Sequence, residues 1–465
     1  SQSVTQCIET ALGDDSSLYA FPQDLMYQMT DVHAYNLDYS TTPAAVTYPK
    51  TPEQVSGVVM CAHANGVAVQ ARSGGHSYAN YGLGGYNGSL VVDMKNFADF
   101  NYNAADQTVT FGPGNRLGDL SKKLKPLDRV MSYGVEADIG SGGHMTIGGL
   151  GPLGRQFGLA ADQIVSAQCV LGNGTIVTAS ASMNPDLFFA IRGAAFSFAI
   201  VTEFTMQTAP APVDITSYQY NITAGDVTAF TNTFQAWQKV VSQPGLSRLF
   251  SSTVTLTEGT LLIQGTFYGP QSDFDALNLN TIFPAADANV HVESTIIPTL
   301  FTELGDVLLD ATGGISMHFY AKSVKTTNKT LMSVEATEAM FSYIKETDKG
   351  TPVWLVIWDL EGGAISDLSQ TATAYWNRDA LYFMQSYVVG LTGEVSATSK
   401  SFLEGLSRVV QQQTGADESA YPGYVDAELS NPQKSYWGYN MPRLQRIKAA
   451  ADPDNVFRNP QTIPV

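Results

Sequence analysis

Val67-Ala68-Val69-Gln70-Ala71-Arg72-Ser73-Gly74-Gly75-His76-Ser77-Tyr78 is a short apolar run that empties into a glycine turn. β-Branched and small residues up to Arg72 predict a strand. Paired glycines then let the backbone take conformations and close approaches that other residues resist. Just upstream, Ala45-Val46-Thr47-Tyr48 reads as another short strand. Thr51-Pro52-Glu53-Gln54-Val55 follows it, with an N-capping Thr51, Pro52 at the first helical position and an acid in the first turn. The spacing predicts a helix through His63, so residues 45 to 78 form a βαβ unit that delivers the glycine turn. Consecutive backbone N–H groups in such a turn converge on an anion, and Arg72 is placed to add a charged diphosphate contact. Gly-Lys-Ser/Thr is absent, which argues against a P-loop. An early Gly-x-Gly-x-x-Gly after a first strand is also absent, which argues against a simple Rossmann domain.

Further along, Gly140-Ser141-Gly142-Gly143-His144 and Gly148-Gly149-Leu150-Gly151 make a second glycine cluster. Strand-like runs flank it at Gln107 to Phe111, Ile164 to Leu171 and Gly174 to Thr178. Asn184-Pro185-Asp186 opens a helix that leads through Ile191-Arg192-Gly193 to a strand at Ala199 to Phe204. Pro210-Ala211-Pro212 marks a boundary. Beyond it the texture changes to alternating strands (Leu261 to Tyr268; Trp354 to Leu360) and longer helical stretches (Val227 to Val241; Leu331 to Ile344). It changes back near Tyr421, and Pro442 to Ala451 reads as a final helix closed by Asp452-Pro453.

Charged residues are only 15% of the 465, and the net charge is −18. An acidic chain without a basic stripe repels a phosphate backbone, so nucleic acid is a poor partner. Neutral sugars or small organic molecules suit it better. No apolar run approaches the ~20 residues of a membrane span. The start at Ser1 without methionine, and sequons at Asn87, Asn173, Asn221 and Asn328, lead us to expect a processed, secreted glycoprotein. Of the three cysteines, Cys7 and Cys61 could pair in an oxidising compartment, whereas Cys169 lies in an apolar strand and reads as a buried thiol. No Cys or His spacing suggests a metal.

Arg72-Ser73-Gly74-Gly75-His76-Ser77-Tyr78 resembles the histidyl-flavin loop of the vanillyl-alcohol-oxidase superfamily, in its berberine-bridge-enzyme-like branch. Supporting stretches recur in order along nearly the whole chain: Ile139 to His144, Gly158-Leu159-Ala160-Ala161-Asp162, Asn184 to Gly193, and Arg443 through Phe457. Trp358-Asp359-Leu360-Glu361-Gly362-Gly363 and Tyr424-x-Asp426 are most similar to gluco-, chito- and xylo-oligosaccharide oxidases. The resemblance implies an α+β fold of two domains. Residues 1–207 and 420–465 would form an FAD-binding domain from both chain ends. Residues 208–419 would form a substrate domain with an antiparallel sheet backed by helices.

The resemblance further implies FAD bonded covalently to His76. Arg72, Ser73, Gly74, Gly75, Ser77, Gly142, Gly143, His144, Gly148 and Ile200 would complete the cofactor site. Tyr424 and Asp359 would form the catalytic pair, with substrate contacts from Tyr78, Arg248, Leu355 and Ile357. Alcohol oxidation by hydride transfer needs the O–H proton removed as the hydride leaves. A phenol is a weak base at neutral pH, so a carboxylate to which it can pass its own proton helps. Strand alternation places Leu355, Ile357 and Asp359 on one face. The relatives often carry a second flavin tether, a cysteine where this chain has Glu136, so a single tether is expected. Ile139 falls at the position that gates oxygen in plant-type members.

Leu355 and Ile357 are aliphatic where sugar oxidases tend to be polar or aromatic, and Phe250 stands where an acid is common. The leading expectation is oxidation of the anomeric hydroxyl of an oligosaccharide by a monomeric enzyme, with a quinone, another acceptor or oxygen taking the electrons. Oxidation of an apolar alcohol or amine, or flavin binding without chemistry, are the alternatives.

Overall fold

A computed structural model describes residues 3–223, 226–283, 287–293 and 315–465. The predicted unit forms as the helix Pro52–Asn65, with the Thr51 hydroxyl accepting the Gln54 N–H, between strands Ala45–Thr47 and Val69–Arg72. These strands are parallel but not neighbours. Strand Leu90–Asp93 inserts between them, pairing with both, and Tyr19–Ala20 adds an antiparallel edge. The glycine turn therefore leaves the edge of this four-stranded sheet.

A second, five-stranded sheet is antiparallel throughout, in the order Phe100–Asn103, Thr108–Phe111, Ala199–Gln207, Ile164–Leu171, Ile176–Ser180. Helices Leu117–Leu124, Pro185–Ala194 and Met441–Ala451 bury Leu120, Phe189 and Leu444 in its core. The last of these comes from the C-terminal stretch. It is pinned by Lys448, whose side chain is 0% exposed. The Lys448 Nζ donates to Asp452 Oδ2 at 2.6 Å, Ser197 O at 2.7 Å and Phe457 O at 2.8 Å. A buried cation with all its donors used is tolerable, and removing its partner would cost about 3–5 kcal/mol.

The seven-stranded sheet is also antiparallel, in the order Asp287–Glu293, Ile215–Ile222, Thr260–Phe267, Thr253–Thr257, Trp354–Leu360, Tyr382–Gly390, His318–Thr326. Helices Val227–Val241, Val334–Glu346 and Ala397–Thr414 cover one face, burying Phe234, Trp237, Trp358 and Phe402. The other face carries polar residues and turns toward the glycine loops.

Cys7 and Cys61 form a disulfide with Cα atoms 5.7 Å apart, fastening helix Val4–Ala11 to helix Pro52–Asn65. Closing a loop of this length stabilises by up to roughly 4 kcal/mol. Cys169 is free and buried, and burial pushes its thiol up to about 12, so it is inert packing. Asn87, Asn173 and Asn328 are exposed, but Asn221 lies in a cavity wall with its Oδ1 buried. A glycan at Asn221 would fill that cavity.

Candidate active site

A cavity of about 620 Å³ lies between the glycine loops and the polar face of the seven-stranded sheet. Its floor on one side is residues 73–77. The amides of Gly74, Gly75, His76 and Ser77 find no acceptor among the described residues. Gly74 and Gly140 touch back to back: a Cβ on Gly74 would lie 2.2 Å from the Gly140 nitrogen. Only glycine permits that approach, and it brings both loops to the same cavity. Ser73 locks them together, its Oγ donating to Pro113 O at 2.5 Å and accepting from Gly142 N–H at 3.1 Å. Four amides without acceptors, on a turn lining a cavity, fit an anionic diphosphate. Gly143 has open space where a Cβ would stand, and Ile200 also lines the cavity.

Three expected cofactor residues act differently. Arg72 lines the cavity, but its guanidinium is already paired with Asp93 at 2.6 Å and bonded to Val32 O, because Leu90–Asp93 is its sheet neighbour. His144 borders the cavity, but its Nε2 accepts the Gly134 N–H at 2.9 Å, and burial lowers its pKa to about 4. Gly148 does not line the cavity. At φ +130° it packs against Tyr375 and Tyr421, where a Cβ would clash.

The His76 imidazole is half-buried and packs at a tilt of 34° against Tyr35, with ring centroids 4.7 Å apart. Burial, with Arg116 adding to it, lowers its pKa to about 4. The ring is therefore neutral, with a nitrogen lone pair free for bonding. Glu136 also borders the cavity, and its Oε1 accepts the Asp138 N–H at 3.1 Å. Ile139 lines the cavity while packing partly against the core beneath.

Across the cavity, Leu355, Ile357 and Asp359 face inward as alternation requires. The Tyr424 hydroxyl is 3.5 Å from Asp359 Oδ2. Tyr424 is held by its own N–H to Tyr421 O, and Tyr421 by the Gly149 N–H at 3.0 Å. Asp359 also accepts from Thr253 Oγ1 at 3.3 Å and from Gln385 Nε2. Gln385 Oε1 in turn accepts from the Tyr387 hydroxyl, which lies 2.8 Å from the Tyr78 hydroxyl. Since Tyr387 gives its proton to Gln385, Tyr78 must donate to Tyr387. The chain Tyr78→Tyr387→Gln385→Asp359 therefore runs one way and presents Asp359 as an acceptor.

Cross-strand register explains this gathering, because directly opposed residues share a face. Gln219, Gln264, Thr253 and Asp359 form one row. Asn221, Leu262, Thr255, Ile357 and Gln385 form the next. One end of the wall is thus neutral and hydrogen-bonding. The other is apolar, where Leu355 and Ile357 pack with Tyr387 and Tyr78. Arg248 belongs to neither. It is exposed outside the cavity in a two-pronged pair with Asp367, both contacts at 2.7 Å. The turn before Thr253–Thr257 carries it to the surface, correcting its expected place on the sugar-binding strand.

Thr253, Gln385 and Tyr387 were not found in the sequence. A glutamine inside the otherwise apolar Tyr382–Met384 and Val388–Val389 surroundings was the available signal, but only register puts it beside Asp359.

Burial pushes the Asp359 carboxyl up to about 6, against the pull of hydrogen bonds from Gln385, Thr253 and Tyr424. Burial first, and then the Asp359 charge, keep Tyr424 well above its ordinary value. A phenolate is thus disfavoured, and the phenol can accept a proton only as it passes its own to Asp359. Protonated Asp359 cannot receive it. We expect kcat/KM to fall about tenfold per pH unit below about 6. A profile that stays flat well below that value would remove Asp359 from the proton path.

Residues 43–180 match the family described as FAD binding domain, and residues 420–464 the family described as berberine and berberine like. The chain is similar to the FAD-linked oxidoreductase sorD of Penicillium rubens, 38% identical, covering 98% of each chain. Its structure is similar to that of the xylooligosaccharide oxidase from Myceliophthora thermophila in complex with xylobiose, at TM-score 0.88 and 30% identity, covering 99% of each chain. It is also similar to the glucooligosaccharide oxidase from Acremonium strictum, described as carrying a 6-S-cysteinyl, 8α-N1-histidyl FAD, at TM-score 0.87 and 28% identity, covering 99% of each chain.

Proposed function

The chain belongs to the berberine-bridge-enzyme-like family of FAD-linked oxidoreductases, and on that premise we propose that it oxidises the anomeric hydroxyl of an oligosaccharide to a lactone, which water opens to an aldonic acid. The observation that carries this reading is the Tyr424–Asp359 pair at the end of a row of neutral hydrogen-bonding side chains. Gln219, Gln264 and Thr253 suit a chain of hydroxyls. Tyr424 Oη takes the proton of the reacting hydroxyl while its own proton moves to Asp359. FAD, when bound, supplies the hydride acceptor. His76 would bear it covalently, alone, since Glu136 offers no thiol.

Leu355, Ile357 and Leu262 favour a second reading, an apolar alcohol or amine as substrate. Anaerobic addition of cello-, xylo- or chito-oligosaccharides should bleach the flavin. Bleaching only by apolar alcohols or amines would decide for the second reading.

The enzyme is further proposed to be a secreted monomer that prefers acceptors other than oxygen. Ile139 supports the acceptor preference, because its extra methylene against valine fills space over the cavity that dioxygen would need. Turnover should rise when a quinone or dye replaces oxygen, and Ile139→Val should speed reoxidation of the reduced flavin in air. Wild-type flavin that reoxidises in air as fast as substrate reduces it, with stoichiometric peroxide, makes this an ordinary oxidase.

A further inference from the structure

Asp359 is not the only carboxyl in the cavity wall. Glu361 follows it by two residues and lines the same cavity just beyond the strand end. It is 4% exposed. Its backbone is fully engaged, the N–H on Leu381 O at 2.7 Å and the carbonyl on Arg155 at 2.6 Å. Its carboxyl has no hydrogen-bond partner among the described residues. An unpartnered buried carboxyl is costly, and a fold retains few of them without a use.

The charged and titratable groups around it do not supply that use. Arg155 is the nearest cation, but its guanidinium donates to the carbonyls of Phe250 at 2.9 Å, Glu361 at 2.6 Å, Leu246 at 3.4 Å and Ser247 at 3.3 Å. Tyr375, Tyr421 and Tyr424 lie around the carboxyl; the Tyr424 hydroxyl donates to Asp359, and the Tyr421 oxygen accepts the Gly149 N–H. The Tyr375 hydroxyl is itself buried without a partner. Burial, reinforced by the Asp359 charge and opposed by Arg155, holds the Glu361 carboxyl well above the usual range. That bias favours the protonated form, which can both donate and accept.

We propose that Glu361 is a specificity-determining residue, its carboxyl hydrogen-bonding a second hydroxyl of the substrate while the Tyr424–Asp359 pair holds the reacting one. A hydroxyl is also both donor and acceptor, so the match selects polyhydroxylated substrates over simple alcohols. This rests on the oligosaccharide reading.

The test uses the flavin-loaded full chain, in wild-type, Glu361→Gln and Glu361→Leu forms. The substrate is whichever of cello-, xylo- or chito-oligosaccharide bleaches the wild-type flavin. Affinity is read from flavin absorbance changes on adding its anhydroalditol derivative, which lacks the anomeric hydroxyl. Glu361→Leu should raise KM and the Kd of the derivative about tenfold or more, the usual scale for one buried hydrogen bond, with kcat changed less. Glu361→Gln, which keeps a donor and an acceptor, should stay within about threefold of wild type. If both variants bind the derivative like wild type and only melt lower, Glu361 serves as charge compensation for Arg155 and the proposal is overturned. Loss of affinity in Glu361→Gln equal to that in Glu361→Leu overturns it too, because a side chain that keeps a donor and an acceptor would then bind no better than an apolar one. Wild-type flavin that no oligosaccharide bleaches overturns this inference together with the reading beneath it. Bleaching with unchanged affinity in Glu361→Leu overturns the inference alone.

Discussion

Tyr424→Phe should slow flavin reduction by roughly 10²- to 10⁴-fold, the scale for losing a positioned general base. The aromatic ring stays, so its packing against Tyr421, with centroids 4.8 Å apart, and against Phe383 survives. Only the hydroxyl facing Asp359 is lost. At roughly 1.4 kcal/mol per tenfold, the deficit is about 3–5 kcal/mol of barrier. Asp359→Ala should cost a comparable factor by a different route. It removes the proton's destination and leaves the Gln385 amide and Thr253 hydroxyl without their acceptor. Because the two residues move one proton, the double variant should be far less impaired than the product of the single losses. Stopped-flow reduction under anaerobic conditions measures this directly. Fully multiplicative losses would mean that Tyr424 and Asp359 act on separate steps.

The second large effect concerns cofactor retention. Protein precipitated with acid should keep its yellow colour, and His76→Ala should lose all of it to the supernatant. Before denaturation, His76→Ala should still hold FAD, because the free amides of residues 74–77 do not depend on the imidazole. A wild-type pellet without colour would dismiss the covalent bond. Flavin mass on a peptide containing Cys169 would dismiss the single tether. The latter would require a thiol that is buried and pushed up to about 12 to react.

Much of this site was legible because it is local. The glycine turn, His76 within it and the inward face Leu355–Ile357–Asp359 follow from residue type and from a side-chain period of two. The same period runs on to Glu361. The resemblance added Tyr424, which is only one of 22 tyrosines otherwise. Arg72 shows where local reading stops. Its sequence position beside the turn suggests a diphosphate contact, and the sequence does not show that its charge is also paired with Asp93, 21 residues away in sequence. Arg248 fails likewise, drawn outward to Asp367, 119 residues away in sequence.

The residues by themselves determined the glycine turn and one face of the strand Trp354–Leu360, and the resemblance of the motifs added the fold class and the family. The turn and the face depend on backbone freedom at glycine, on capping and on alternation, all of which act over a few neighbouring residues. Only the tertiary structure decided which side chains complete that face. Gln385, Tyr387 and Thr253 reach Asp359 through strand registers spanning 26 to 106 residues of sequence. Whether a charged or polar group is free for a ligand depends on the partners that folding places beside it. Such pairings leave no periodic mark in the chain, since each is set by packing between segments distant in sequence.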